Sequence, residues 1–191
     1  MLPEALHVAI ILSPFVTLPA VGWLGSGRDR ARLLALIPAA LTGYFTYAFW
    51  VVSINGPFSV TGTWAPALNL SLSFRFDGLS TFFALLITGV GTLIVIYART
   101  YLEQHPSAGR FHVVLFAFMG SMLGVVLSDN VIALFVFWEL TGFTSYLLIG
   151  FEHEKPESRR AALQALLVTG AGGLALLAAG ILMTEAAGTS S

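Results

Sequence analysis

Residues 130–151 read NVIALFVFWELTGFTSYLLIGF, an apolar run with one formal charge, Glu139, nine residues after Asn130 and twelve before Phe151. A helix needs about 20 largely apolar residues to cross about 30 Å of hydrocarbon, and this run has that length. Placing an acidic side chain at the centre of such a helix costs about 2.5–3.5 kcal/mol on insertion scales. A residue carried at that cost normally faces a partner or a water-filled cavity. Desolvation disfavours the ionised form of a carboxyl and a nearby cation favours it, so such a group is suited to exchanging a proton. Two readings follow for Glu139: a station on an ion or proton path, or a protonated carboxyl that only bonds a facing helix.

The helical neighbours of Glu139 admit polarity on its side. Gly142, three residues on, removes bulk and leaves room for water or a close helix. Tyr146, seven on, brings a hydroxyl to the same face, which Ile132 and Phe135 share. Thr141 is the third supporting candidate.

The rest of the chain repeats the pattern. Apolar runs at 5–24, 31–54, 78–101, 111–128 and 161–184 predict five more spans, and the breaks fall at Gly25-Ser26-Gly27 and Asn55-Gly56-Pro57. The composition agrees: 57% of the 191 residues are apolar and 10% charged, against about 25% charged in a soluble domain. A soluble single domain is excluded, because so few polar side chains cannot cover a globule of this size. Disorder is excluded too, since 13% of the residues are aromatic. A net charge of −1 with no basic stripe argues against nucleic-acid binding. The absence of cysteine removes disulfides and thiolate ligands, and neither His7 nor His112 has a partner at metal-ligand spacing.

The loops predict an orientation. Arg28, Arg30, Arg32, Arg99, Arg110, Lys155, Arg159 and Arg160 lie on one side of the six spans and Arg75 alone on the other. The positive-inside rule places the basic loops in the cytoplasm and both termini outside. Glu4 is the only charged side chain before Arg28, so the first run reads as a retained helix rather than a cleaved signal.

One external segment is not helical in pattern. Leu68, Leu70, Leu72, Phe74 and Phe76 alternate with Asn69, Ser71, Ser73 and Arg75, the period of a half-buried strand. Val60 to Trp64 supplies a partner strand, with Ala65-Pro66-Ala67 near the turn; the alternative is an amphipathic loop on the membrane surface. The predicted fold is therefore an all-α polytopic membrane protein of six transmembrane helices, with a short external β-hairpin between helices two and three.

Other polar residues receive plainer readings. Asp129 and Asn130 make a tight turn, with Asn130 as helix N-cap. His153 reads as a solvated loop residue, while His7 and His112 sit near span ends and could titrate. Thr169-Gly170-Ala171-Gly172-Gly173 suits close helix packing; it is no phosphate loop, because no Lys-Ser/Thr follows.

Longer motifs carry a family resemblance. The stretch Phe74-Arg75-Phe76-Asp77-Gly78-Leu79-Ser80-Thr81-Phe82-Phe83, with Tyr97-Ala98-Arg99-Thr100-Tyr101-Leu102, resembles the opening segment of the large antiporter-like membrane subunits. Gly120-Ser121-Met122, Ser128-Asp129-Asn130, Phe137-Trp138-Glu139-Leu140-Thr141 and Ser145-Tyr146-Leu147-Leu148-Ile149-Gly150-Phe151 resemble their next two helices. The family includes the A subunit of Mrp-type sodium/proton antiporters, the L subunit of respiratory complex I and subunits of membrane-bound hydrogenases.

Two features are more similar to the Mrp A subunit. Trp138-Glu139 is followed here by Leu140-Thr141, where complex I subunits typically have Gly and Val. Val168-Thr169 is followed by Gly170-Ala171-Gly172-Gly173, where they typically carry Arg-Val-Gly-Asp. The resemblance divides the chain into 1–73 (two helices and the hairpin), 74–110 (the opening helix of the family) and 111–191 (helices four to six, the start of the antiporter core).

The resemblance implies a monovalent cation/proton antiporter subunit in a bacterial cell membrane, not an enzyme and without a cofactor. Glu139 would be its proton-translocating residue, paired with a Lys in a seventh helix. The implied partners are the other Mrp subunits, the remainder of the A subunit, the bilayer, protons and sodium. The runner-up is a proton-pumping subunit of complex I or a hydrogenase, and the third reading a structural membrane module. Family members have about fourteen or more helices, and none of the nine Lys/Arg here lies mid-span. The expected cation partner of Glu139 is therefore on another polypeptide or a continuation of this one.

Overall fold

A computed structural model describes residues 3–25, 31–65, 70–103 and 105–187. Among these residues six helices are long and apolar enough to span a membrane, Glu4–Gly25, Leu36–Asn55, Gly78–Tyr101, Ala108–Leu127, Val131–Ile149 and Pro156–Met183.

Prolines divide the first two expected runs. The first is α1 (Glu4–Val16) followed by α2 (Leu18–Gly25), and the second is α3 (Ala31–Leu34) followed by α4 (Leu36–Asn55). A proline ring collides with the carbonyl four residues back and removes one helical hydrogen bond. Pro19 and Pro38 therefore act on Phe15 and Leu34, just before the interruptions at Thr17 and Ala35. The last three spans are α6 (Ala108–Leu127), α7 (Val131–Ile149) and α8 (Pro156–Ala187), preceded by α5 (Gly78–Tyr101). Helices α6 and α8 begin ahead of the apolar runs at 111 and 161. Their first turns carry Arg110, and Glu157, Arg159 and Arg160, charges an apolarity count stops at and a helix end accommodates in water. Pro156 opens α8 at a position where its missing N–H costs nothing.

The segment between the second and third spans is a hairpin, not a surface loop. Strands β1 (Phe58–Ala65) and β2 (Leu70–Phe76) pair antiparallel, Phe58 with Phe76 and Val60 with Phe74. The tip, with Pro66, Ala67, Leu68 and Asn69, lies outside the described residues. The alternation does what period 2 requires: Val60, Phe74 and Phe76 are buried, while Ser59 and Arg75 between them are exposed. Gly56 turns the chain out of α4 at φ 82°, a left-handed conformation glycine adopts without a Cβ penalty.

The hairpin is fastened to the turn between α6 and α7. Asp129 N–H donates to the Ser73 carbonyl at 2.9 Å, and Ser59 Oγ donates to Asp129 Oδ2 at 3.2 Å. Phe74 and Phe76 join a core with Ile11, Phe45, Leu123, Leu127 and Phe137. The Phe137 ring occupies the space a Cβ would need at Gly124, so α7 lies close on α6. A second core of Val21, Leu34, Leu41, Val95, Leu115, Phe116 and Met119 ties α2, α3, α4, α5 and α6.

Asp77 starts α5 with a capping box. Its Oδ1 accepts from Ser80 N–H at 2.8 Å and Leu79 N–H at 3.0 Å, while Ser80 Oγ accepts from Asp77 N–H at 2.9 Å. These bonds, the Ser80 amide foremost, hold the Asp77 carboxyl below its ordinary range, with Arg75 adding a smaller pull. The stabilisation is full above the ordinary value of 3.8 and is lost as pH falls through the lower folded value. Asp77→Ala should destabilise the assembled protein by about 1 kcal/mol at neutral pH. In thermal melts the gap from the parent should close below pH 3.8.

Candidate ion-translocation site

The site is built on α7. Asn130 caps it as expected, Oδ1 accepting from Ile132 N–H at 2.9 Å and Ala133 N–H at 3.2 Å. At 3.6 residues per turn, Ala133, Phe137 and Thr144 share one face. All three are buried; Phe137 packs on Gly124 of α6 and meets Phe74 of the hairpin at 6.1 Å between ring centroids. Glu139, Gly142 and Tyr146 share the opposite face.

That second face is covered by α8. A Cβ at Gly142 would lie 3.2 Å from Thr169 Cγ2, and one at Gly180 would overlap Val131 Cγ1. At Gly173 a Cβ would overlap Glu139 Oε1 and approach Trp138 Cδ1 to 3.1 Å. As the α7 numbers fall from 142 to 131 the facing α8 numbers rise from 169 to 180, so the two helices run antiparallel. The stretch Thr169–Gly173 therefore packs against the segment that carries Glu139. The glycine content of α8 signals a close approach in the sequence, but not which residue is approached, so Gly173 was beyond sequence reasoning.

Glu139 Oε1 is buried and has no hydrogen-bond partner, and the residue makes no ion pair among the described residues. A buried polar atom left unpaired costs about 1–3 kcal/mol, more when charged. Oε1 lacks a bonding partner among the described residues.

The other expected residues separate. Thr141 points away from Glu139, its hydroxyl donating to the Phe137 carbonyl at 2.8 Å. Tyr146 lies toward the basic end of the bundle, lining a cavity with Arg110, His153 and Arg159. His153 is exposed, as a loop residue, with Arg110 Nη2 3.5 Å from its Nδ1. His7 is buried, bonded to the Tyr44 hydroxyl and 5.5 Å from the rings of both Phe58 and Phe76. It ties α1 to α4 and the hairpin. His112 is buried with Nδ1 2.8 Å from the Ala108 carbonyl oxygen, and its Nε2 lacks a partner. Among the described residues no three His, Asp or Glu converge as metal ligands.

Among the described residues, six candidate spans and a two-stranded hairpin, with the buried Oε1 of Glu139 lacking a partner, define a polytopic helical membrane protein. Residues 64–112 match the family described as NADH-ubiquinone oxidoreductase (complex I), chain 5 N-terminus. Residues 128–191 match the family described as NADH:quinone oxidoreductase/Mrp antiporter, TM. The chain belongs to this family of antiporter-like membrane subunits, which joins Mrp antiporters to respiratory complex I.

Among its relatives, the A1 subunit of a Na+/H+ antiporter of Staphylococcus haemolyticus is 43% identical over 184 residues, covering 95% of this chain and 23% of the relative. The A/B subunit of a probable K+/H+ antiporter of Rhizobium meliloti is 38% identical over 190 residues, covering 94% of this chain and 19% of the relative. The Mrp complex of Dietzia sp. DQ12-45-1b contains a chain that superposes with a TM-score of 0.81 at 32% identity, over 98% of this chain and 20% of that one. The sequence thus spans about a quarter or less of each of these three relatives.

Proposed function

We propose that the chain forms part of the A subunit of a monovalent cation/proton antiporter, in which Glu139 takes up and releases the translocated proton. The observation that carries this reading is the buried, unpartnered Glu139 Oε1 on a membrane-spanning helix. A purely structural carboxyl would be expected to bond the helix it faces; this one faces Gly173, which offers it no side-chain group. A cation to alternate with the proton comes from outside the described residues, from a further segment or another subunit. Gly142 keeps α8 close beside Glu139, and Tyr146 is placed toward the basic end on the same face. In this reading the complex lies in a bacterial plasma membrane, with the Arg/Lys-rich loops in the cytoplasm and the hairpin outside.

The named relatives differ in their cation, sodium in one and potassium in the other, so the test carries both. The complex containing this chain is purified and reconstituted into liposomes with a pH-sensitive dye inside. A jump in external sodium or potassium should drive proton movement with at least one of the two ions, and the preparation should be colourless. Visible flavin and iron–sulfur absorbance, with proton movement on adding an electron donor and none on a cation jump, would instead place the chain in a redox pump. Both matched family descriptions name respiratory oxidoreductases, which is why that arm is included.

A further inference from the structure

The basic end of the bundle holds a cavity that Tyr146 lines and Glu139 does not reach. It measures about 320 Å³ and opens between the start of α6, the end of α7 and the start of α8, a ligand-sized volume. Its lining is divided by chemistry. Val114, Leu147 and Ala162 are apolar, whereas Arg110, Arg159 and His153 are polar or charged.

Both guanidinium groups bond backbone carbonyls of one loop, 151–154. Arg110 Nη2 donates to the Phe151 carbonyl at 2.8 Å, and its guanidinium lies 5.3 Å from the Phe151 ring centroid. Arg159 Nη1 donates to the His153 carbonyl at 2.6 Å and the Glu154 carbonyl at 3.2 Å. Neither forms an ion pair among the described residues. Carbonyl oxygens position a guanidinium without cancelling its charge, and several of its five N–H donors remain available. The nearby Glu152 carboxylate is occupied by Lys155; that bond holds Glu152 below and Lys155 above their ordinary ranges. Glu154 is the remaining acid of this loop, and it too is exposed.

Two fixed, uncompensated cations at a membrane boundary, beside an apolar wall, match an anion that carries hydrocarbon. Guanidinium forks suit phosphate oxygens, and basic pockets between helix ends are where anionic headgroups dock. We propose that this cavity binds the phosphodiester headgroup of an anionic phospholipid. Arg110 and Arg159 clasp the phosphate, and the first part of an acyl chain lies along Val114, Leu147 and Ala162. Inorganic phosphate shares the headgroup chemistry but would leave that wall bare, which favours the lipid.

Native mass spectrometry of the delipidated whole complex tests the site, with phosphatidylglycerol or phosphatidylcholine added back. Each basic residue near the surface contributes about a fivefold gain in affinity for anionic lipid, so R110Q/R159Q should weaken the site about thirtyfold. The parent should therefore retain one phosphatidylglycerol that the double variant loses, with no such difference for phosphatidylcholine. Leu147→Trp keeps both arginines and narrows the apolar wall; it should lose the same lipid and guards against misfolding of the double variant. Excess inorganic phosphate should not displace the lipid. Equal phosphatidylglycerol occupancy in the parent and both variants, or full displacement by inorganic phosphate, would overturn the proposal.

Discussion

Glu139→Gln should leave the complex assembled and lower cation-driven proton exchange by roughly a hundredfold, the lower range for losing a positioned proton-transfer group. Gln has nearly the volume and shape of Glu, so the contact with Gly173 survives. It carries no charge, so the insertion cost of about 2.5–3.5 kcal/mol for a central acid is relieved rather than increased. What it cannot do is release and regain a proton. The measurement is dye-reported exchange in everted vesicles, normalised to assembled complex by gel filtration. Unimpaired exchange per complex would remove Glu139 from the path. Loss of assembly with full activity in the surviving complexes would assign it a structural role.

The second large effect is expected at Gly173. Glycine to alanine inside a helix is favourable by roughly 0.5–1 kcal/mol on backbone grounds, so lost helix propensity cannot explain a defect there. The added Cβ would overlap Glu139 Oε1. That atom ends a flexible side chain, so the clash is relieved by turning the carboxyl away, with α7 and α8 staying in place. Displacing a reacting group by about 1 Å costs up to a hundredfold, and Gly173→Ala should lower exchange at least tenfold with assembly and melting temperature unchanged. The shorter carboxyl of Glu139→Asp fits beside Ala at 173. The double variant should therefore lose less than the two single losses combined, the mark of directly coupled residues. Strict additivity would remove Gly173 as the residue that positions Glu139.

Much of the architecture was legible because a membrane simplifies the reading. Hydrocarbon tolerates few charges, so their positions mark the span ends, and all six spans are where the apolar runs lie. The hairpin was legible for a different reason: Phe74 and Phe76 alternate with Ser73 and Arg75, and only a strand puts such residues on opposite faces. Apolarity says less about where a helix breaks or begins. The interruptions at Thr17 and Ala35 depend on ring collisions from Pro19 and Pro38, and α8 starts at Pro156 among charges a span count avoids.

The candidate site was half legible. Glu139 declares itself by cost alone, as a central charge in an apolar run. Its surroundings do not, because they depend on which helix meets the Glu139 face. Thr141 is adjacent in sequence yet directed at the Phe137 carbonyl, whereas Gly173 is distant in sequence and lies against the carboxyl. A glycine-rich stretch announces a close neighbour without naming it. Likewise, Arg110 and Arg159 read as orientation marks until the loop 151–154 brings them to one cavity.

The central claim is that Glu139 changes protonation during exchange. Infrared difference spectroscopy of the reconstituted complex tests this directly, by following the carbonyl stretch of protonated carboxyl groups across a jump in the driving cation. A band is expected that changes on the jump, reverses when the cation is removed and is missing in Glu139→Gln. A parent and variant with identical carboxyl bands, in complexes shown to be active and intact respectively, would contradict it.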